Sequence, residues 1–164
     1  MGIWANIRNI VRVRSPGNIA TSVVTLPGVG TGAAYAANDA LGTQGSIAVP
    51  KSGVIETAIL YDLDDEGSQV DILLFNAPPA EETDNGAISI SNGDLRNLVD
   101  VLEFTAFVDL IDNRVSILRD RGVAYVAPEG RLWFQAMTRS VPNIAAANTP
   151  QFKLIIRPDA HEEG

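Results

Sequence analysis

Short runs of β-branched, aromatic and alternating apolar residues recur along this chain, separated by turn-forming residues at intervals of about 10 to 15 positions. Runs of that length make strands, and their number predicts an all-β fold, an antiparallel sandwich or barrel. The segments that fit are Ala5 to Arg14, Ile19 to Leu26, Val54 to Asp62, Gln69 to Asn76, Ala87 to Ile90, Val101 to Val108, Arg114 to Leu118, Val123 to Val126, Arg131 to Arg139 and Phe152 to Arg157. The first serves equally well as an arm. Ser15-Pro16-Gly17-Asn18, Pro27-Gly28, Asp84-Asn85-Gly86 and Ala127-Pro128-Glu129-Gly130 punctuate the runs with the preset φ of proline or the positive φ that glycine and asparagine tolerate. The last of these predicts a hairpin.

Within Arg131 to Arg139, Leu132, Phe134, Ala136 and Thr138 share one face, and Trp133, Gln135 and Met137 the other. Both faces are substantial. The strand is therefore expected at the centre of a sheet or at an interface, and Trp133 and Phe134 are the candidate subunit-interface residues. One helix is expected: Leu95, Leu98, Val99 and Leu102 recur at i, i+3, i+4 and i+7 behind the capping residues Asn92 and Asp94, which predicts two turns over Asp94–Leu102.

The chain has no cysteine, which removes disulfides, thiolate nucleophiles, zinc ribbons and iron–sulfur clusters together. Its single histidine, His161, falls in residues 159–164, expected to be a flexible tail, so a Ser-His-Asp triad or a multi-histidine metal site lacks raw material. The expectation is a protein with no catalytic residues, no cofactor and no metal. No apolar run approaches the roughly 20 residues of a membrane helix. Arg8, Arg12 and Arg14 interrupt the N-terminal apolar segment, so a signal peptide is not expected either.

A net charge of −8 argues against general nucleic-acid binding, which needs a basic surface. Its distribution is uneven. Residues 1–38 carry three arginines and no acid, giving +3, whereas residues 39–164 carry nine basic and twenty acidic residues, giving −11. A basic arm at residues 1–14 thus precedes a body at 15–158. Trp4, Arg8, Arg12 and Arg14 are its candidate partner-binding residues, directed at an acidic partner or a neighbouring subunit. An ordinary first strand with solvated arginines is the alternative.

Gly28-Val29-Gly30-Thr31-Gly32-Ala33 fits G-x-G-x-x-A, yet the full helix and second parallel strand of a dinucleotide fold do not follow, so it reads as a flexible connection. Asp62-Leu63-Asp64-Asp65-Glu66-Gly67 begins like a calcium loop, but its twelfth position is Leu73 where a bidentate glutamate is required. It reads as an acidic hairpin. Twenty acids make some glycosidase-like carboxylate pair inevitable and therefore uninformative. Trp4 and Trp133 are the residues available for stacking on a sugar.

Several stretches together resemble small β-structured virion proteins of tailed bacteriophages. Ala34-Tyr35-Ala36-Ala37-Asn38-Asp39-Ala40-Leu41-Gly42 is similar to that family's Y-A-x-x-D-x-x-G opening. Val54 to Asp62 and Asp71 to Pro79 continue the likeness, and Thr83 to Leu95 matches a D-N-x-A-x-x-x-S-x-x-D-L segment. The resemblance covers residues 34 to 139 and departs at Gly28–Gly32 and at the arginine-bearing N-terminus. It implies a jelly-roll-like sandwich in the virion, acting as a capsid decoration or cement protein. It also implies a homotrimer bound to the major capsid protein or another virion protein. A tail, baseplate or head-fibre component with a carbohydrate-binding role is the alternative.

Overall fold

The computed structural model describes residues 17–30, 34–145 and 148–159. The expected strand Ala5 to Arg14, with Trp4, Arg8, Arg12 and Arg14, lies outside them, as does His161. The elements are β1 (Ile19–Ala20), β2 (Val24–Thr25), β3 (Gly45–Ala48), β4 (Ser52–Asp62), β5 (Val70–Phe75), α1 (Asn92–Leu95), β6 (Leu98–Phe104), β7 (Val108–Asp109), β8 (Arg114–Leu118), β9 (Val123–Val126), β10 (Arg131–Thr138) and β11 (Gln151–Pro158). They form two antiparallel sheets. One has seven strands in the order β1-β11-β4-β8-β7, with β2 also beside β11 and β9 beside β4; the other has four in the order β3-β10-β5-β6. β1 and β2 follow one another along β11, and β8 and β9 along β4, so each pair is one interrupted strand.

Alternation drives the packing. Leu60 of β4 with Phe152, Leu154 and Ile156 of β11 meet Ile47, Ile72, Leu74, Leu102, Leu132 and Phe134 of the smaller sheet in one cluster. Phe134 and Phe152 interlock across it, ring centroids 4.8 Å apart and planes at 88°. Burying side chains of that size stabilises by roughly 2–3 kcal/mol each. β5 is buried along its whole length because its other face is also covered. There Leu73, Phe75 and Met137 form a second cluster beneath Ile88, Ile90, Leu98, Val101 and Trp133.

Several expectations need correction. The helix is only Asn92–Leu95, capped by Ser91, and Leu98 already belongs to β6. Its helical spacing has another cause: the register opposite Leu74 and Phe75 slips by one residue, leaving Val99 as a bulge. Leu98 and Val101 therefore face the outer cluster while Val99, Leu102 and Phe104 face the inner one, so a strand imitates the i, i+3, i+4 pattern. A second bulge, at Glu56, similarly sets Ile55 and Ala58 on the same buried face.

Neither expected hairpin forms. The acidic stretch after β4 and Ala127–Gly130 after β9 each carry the chain from the larger sheet to the smaller. Ala87–Ile90 is not a strand but the strap over the outer cluster, and Ala87 makes a single bridge to Asp39. β3 is not among the expected strands and lies beyond the Gly28–Ala33 stretch read as a connection. Gly45 pairs with Phe134, whose ring occupies the space a Cβ would need, so only glycine lets this edge strand approach.

Candidate interaction surface

The polar side chains of greatest geometric interest close on one carboxylate. Asp84 Oδ1 accepts from the Tyr35 hydroxyl at 2.8 Å and from the Gly42 N–H at 2.7 Å, and Oδ2 accepts from the Gly30 N–H at 2.8 Å. A Cβ at Gly30 would meet that oxygen at 2.6 Å, which explains one glycine of the G-x-G-x-x-A run. Burial, and after it the hydrogen bond to Asp84, holds the Tyr35 hydroxyl well above the ordinary phenol range. Backbone bonds from Ala40 to Gly86, Asn85 to Ala40 and Ile88 to Asn38 complete the seam. Segments 34–42 and 83–95 are thus hydrogen-bonded to each other, and Tyr35, Gly42 and Asp84 serve to pin the strap down.

The acidic loop is similarly engaged. Asp62 Oδ2 accepts the Gly67 N–H at 2.6 Å, Asp64 accepts the Ala145 N–H at 2.7 Å and the Asn148 amide at 2.8 Å, and Asp65 pairs with Arg114 Nε at 2.7 Å. Leu73, the twelfth position of the calcium pattern, lies in the outer cluster. Among the described residues no group of three or more His, Cys, Asp or Glu is placed to hold a metal ion. A cavity of about 10 Å³ beside Leu41, Leu60, Asp62, Val70 and Ile144 has room for one water. Among the described residues no helix is long and apolar enough to cross a membrane.

The two sheets differ in what their outer faces show. That of the smaller sheet lies under the 87–91 strap. On the larger sheet, Ile59 and Tyr61 of β4 point away from the core, Ile117 stands beside Ile59, Val115 beside Tyr61, and Val108 beside Val115. None of these five packs against either hydrophobic cluster. The apolar surface continues onto the β7–β8 hairpin, where Val108 is 59%, Leu110 53% and Ile111 86% exposed. Ile111 also holds a φ of 84°, with its N–H bonded to Asp109 Oδ1 at 2.8 Å. A β-branched residue in the left-handed region is a genuine outlier.

The proposed interface residues divide. Phe134 is wholly buried between the sheets, so the expectation that it offers surface to a second subunit is corrected: the alternation that made both faces of β10 apolar reflects two internal clusters. Trp133 is half-buried at the rim of the outer cluster, with the Arg131 guanidinium 5.9 Å from its ring centroid. Val108, Leu110 and Ile111 were not singled out from sequence, although an apolar pair between Asp109 and Asp112 in a turn is the signal that marks them.

No protein-family model, curated protein or solved structure matches the chain.

Proposed function

We propose that this chain is a non-enzymatic structural protein of a tailed-bacteriophage virion, a decoration or cement subunit that attaches to the major capsid protein and works as a homotrimer. The observation that carries the attachment reading is the contrast between the sheets, one outer face covered by the chain's own strap and the other open and largely apolar from Ile59 to Val108, with the Lys153 ammonium over the Tyr61 ring at its margin. Contiguous apolar surface of that kind marks a protein-binding site. The virion setting rests on the resemblance of residues 34–139.

The jelly-roll reading draws support from strand order. Counting β1 with β2 and β8 with β9 as single strands, and setting β7 aside, leaves eight strands. The first then pairs with the eighth, the second with the seventh, the third with the sixth and the fourth with the fifth, as in a long hairpin rolled into two sheets. A carbohydrate-binding role on a tail or fibre has less support, because Trp133 packs at the rim of a cluster with Arg131 near its ring.

Mass spectrometry of purified particles, read as copy number, tests this reading. Hundreds of copies per particle, lost when Ile117→Lys is introduced, is the expected result. A few copies together with binding to host polysaccharide would favour the fibre role. Absence from particles would end both.

A further inference from the structure

We propose that residues 1–14 of one copy dock on the β7–β8 hairpin of a second copy, so that copies associate head to tail. The proposal concerns copies of this chain in solution and does not depend on attachment to a capsid.

The hairpin is built as a receptor. β7 is the free edge of the seven-stranded sheet, paired only with β8 among the described residues. Beyond it the turn exposes Leu110 and Ile111 between Asp109 and Asp112. The left-handed backbone of Ile111 is maintained by the Asp109 carboxylate and by the Leu110 N–H bonded to Asn113 O at 2.9 Å. Glycine would adopt this turn without strain, and an exposed isoleucine gives nothing to the fold it belongs to. Strain held so as to present an apolar side chain to solvent is what a docking element requires.

The N-terminal segment complements it. Trp4, Ile7, Ile10, Val11 and Val13 supply apolar side chains for Val108, Leu110 and Ile111, while Arg8, Arg12 and Arg14 supply guanidinium groups for Asp109 and Asp112, with no acid in residues 1–38 to compete. The two-residue edge of β7 offers backbone groups to an added strand.

Reach limits how much of its arm a chain can lay on its own hairpin. Arg14 is five residues from Ile19, hence within about 18 Å of it along a fully extended chain. Ile19 pairs with Ile156, which pairs with Ile55, whereas the hairpin's Arg114 pairs with Asp62, seven residues further along β4 (62 − 55) and about 23 Å away. A strand beyond β7 also stands five strand spacings, about 24 Å, from β1. The chain's own Arg12 and Arg14 therefore fall short of its own hairpin although Trp4 does not, so the arm docks along its whole length only on a second copy, and a contact between opposite edges of two copies is heterologous, closing a ring when the rotation per copy allows.

Light scattering on the size-fractionated full chain tests this, with circular dichroism for folding. The full chain is expected to form a defined oligomer. Deletion of residues 1–14 and the double variant Asp109→Lys with Asp112→Lys should each give folded monomers. Mixing the two should give a one-to-one heterodimer, because each pair then retains a single arm and a single receptor. Ile111→Gly in the arm-deleted chain should raise Tm by a few degrees, while in the full chain it weakens association by about tenfold or more. Any of three results overturns the proposal: the deleted chain keeps the oligomer mass, the two monomeric variants fail to pair, or deletion lowers Tm by several degrees without changing mass, which places the arm on its own chain.

Discussion

The Tyr35 hydroxyl donates to Asp84 Oδ1 over 2.8 Å, and this bond ties residues 49 positions apart into the strap that covers one sheet. Asp84 accepts two backbone N–H groups besides. Hydrogen bonds to a charged group contribute about 1.5–3 kcal/mol each, and partial exposure of the carboxylate reduces their sum. Asp84→Ala is expected to cost about 2–4 kcal/mol, lowering Tm by roughly 5–15 °C in calorimetry. Tyr35→Phe keeps the packing and should cost about 1–2 kcal/mol.

Alkaline pH should destabilise the protein through two tyrosines. Tyr125 is raised from 10.0 to about 12, first by burial and then by the charge of Asp159, and Tyr35 is raised further. Both folded phenols hold their protons more tightly than unfolded ones. The stability this confers is complete below the unfolded value of 10.0 and is lost as pH rises through about 12 for Tyr125. Urea midpoints should fall over that window, and Tyr125→Phe should flatten the fall. At neutral pH the same variant should be neutral or slightly stabilising, since the buried hydroxyl has no partner among the described residues.

Gly45 and Phe134 are coupled through a single space. Gly45→Ala places a methyl group against the Phe134 ring and should cost about 1–3 kcal/mol. In a Phe134→Leu background the same change should cost less, a coupling of about 0.5–3 kcal/mol in a double-mutant cycle. Equal costs in both backgrounds would show that the ring is not the obstacle.

Asp71 is 1% exposed, paired to Arg139 Nε at 2.6 Å, and its other oxygen has no hydrogen-bond partner among the described residues. Arg139→Met should cost about 2–4 kcal/mol by leaving that carboxylate unpaired, and adding Asp71→Leu should recover most of the loss. Chemical denaturation of the three variants reads the order directly.

Strands marked by clear apolar or β-branched runs between turn residues were legible from sequence. β8 and β9 match their expected ends, and β4, β5, β10 and β11 differ from theirs by one or two residues. The helix was misread because a bulge at Val99 turns period two into spacing of three and four, and a bulge depends on the partner strand. β3 was hidden because its glycine answers to Phe134, about ninety residues away. Apolar residues of β10 pointed to an interface only because nothing local reveals that Ile88 and Ile90 return to cover them. The exposed hairpin was missed because Leu110 and Ile111 fall in the connection between two expected strands, and their exposure depends on the turn that Ile111 adopts.

The pairing of β4 with β11 also fixes an order of events at the ribosome. Ile55 leaves the exit tunnel 101 residues (156 − 55) before Ile156, its partner across the bulge. At ordinary elongation rates that interval is about 5–20 s. Throughout it β4 lacks its β11 neighbour, and β1 and β2 lack their only partner among the described residues. The larger sheet therefore cannot close before β11 has emerged, and ribosome-bound chains stalled before Gln151 should remain protease-sensitive. A cell making many copies at once must shield these open edges until β11 follows.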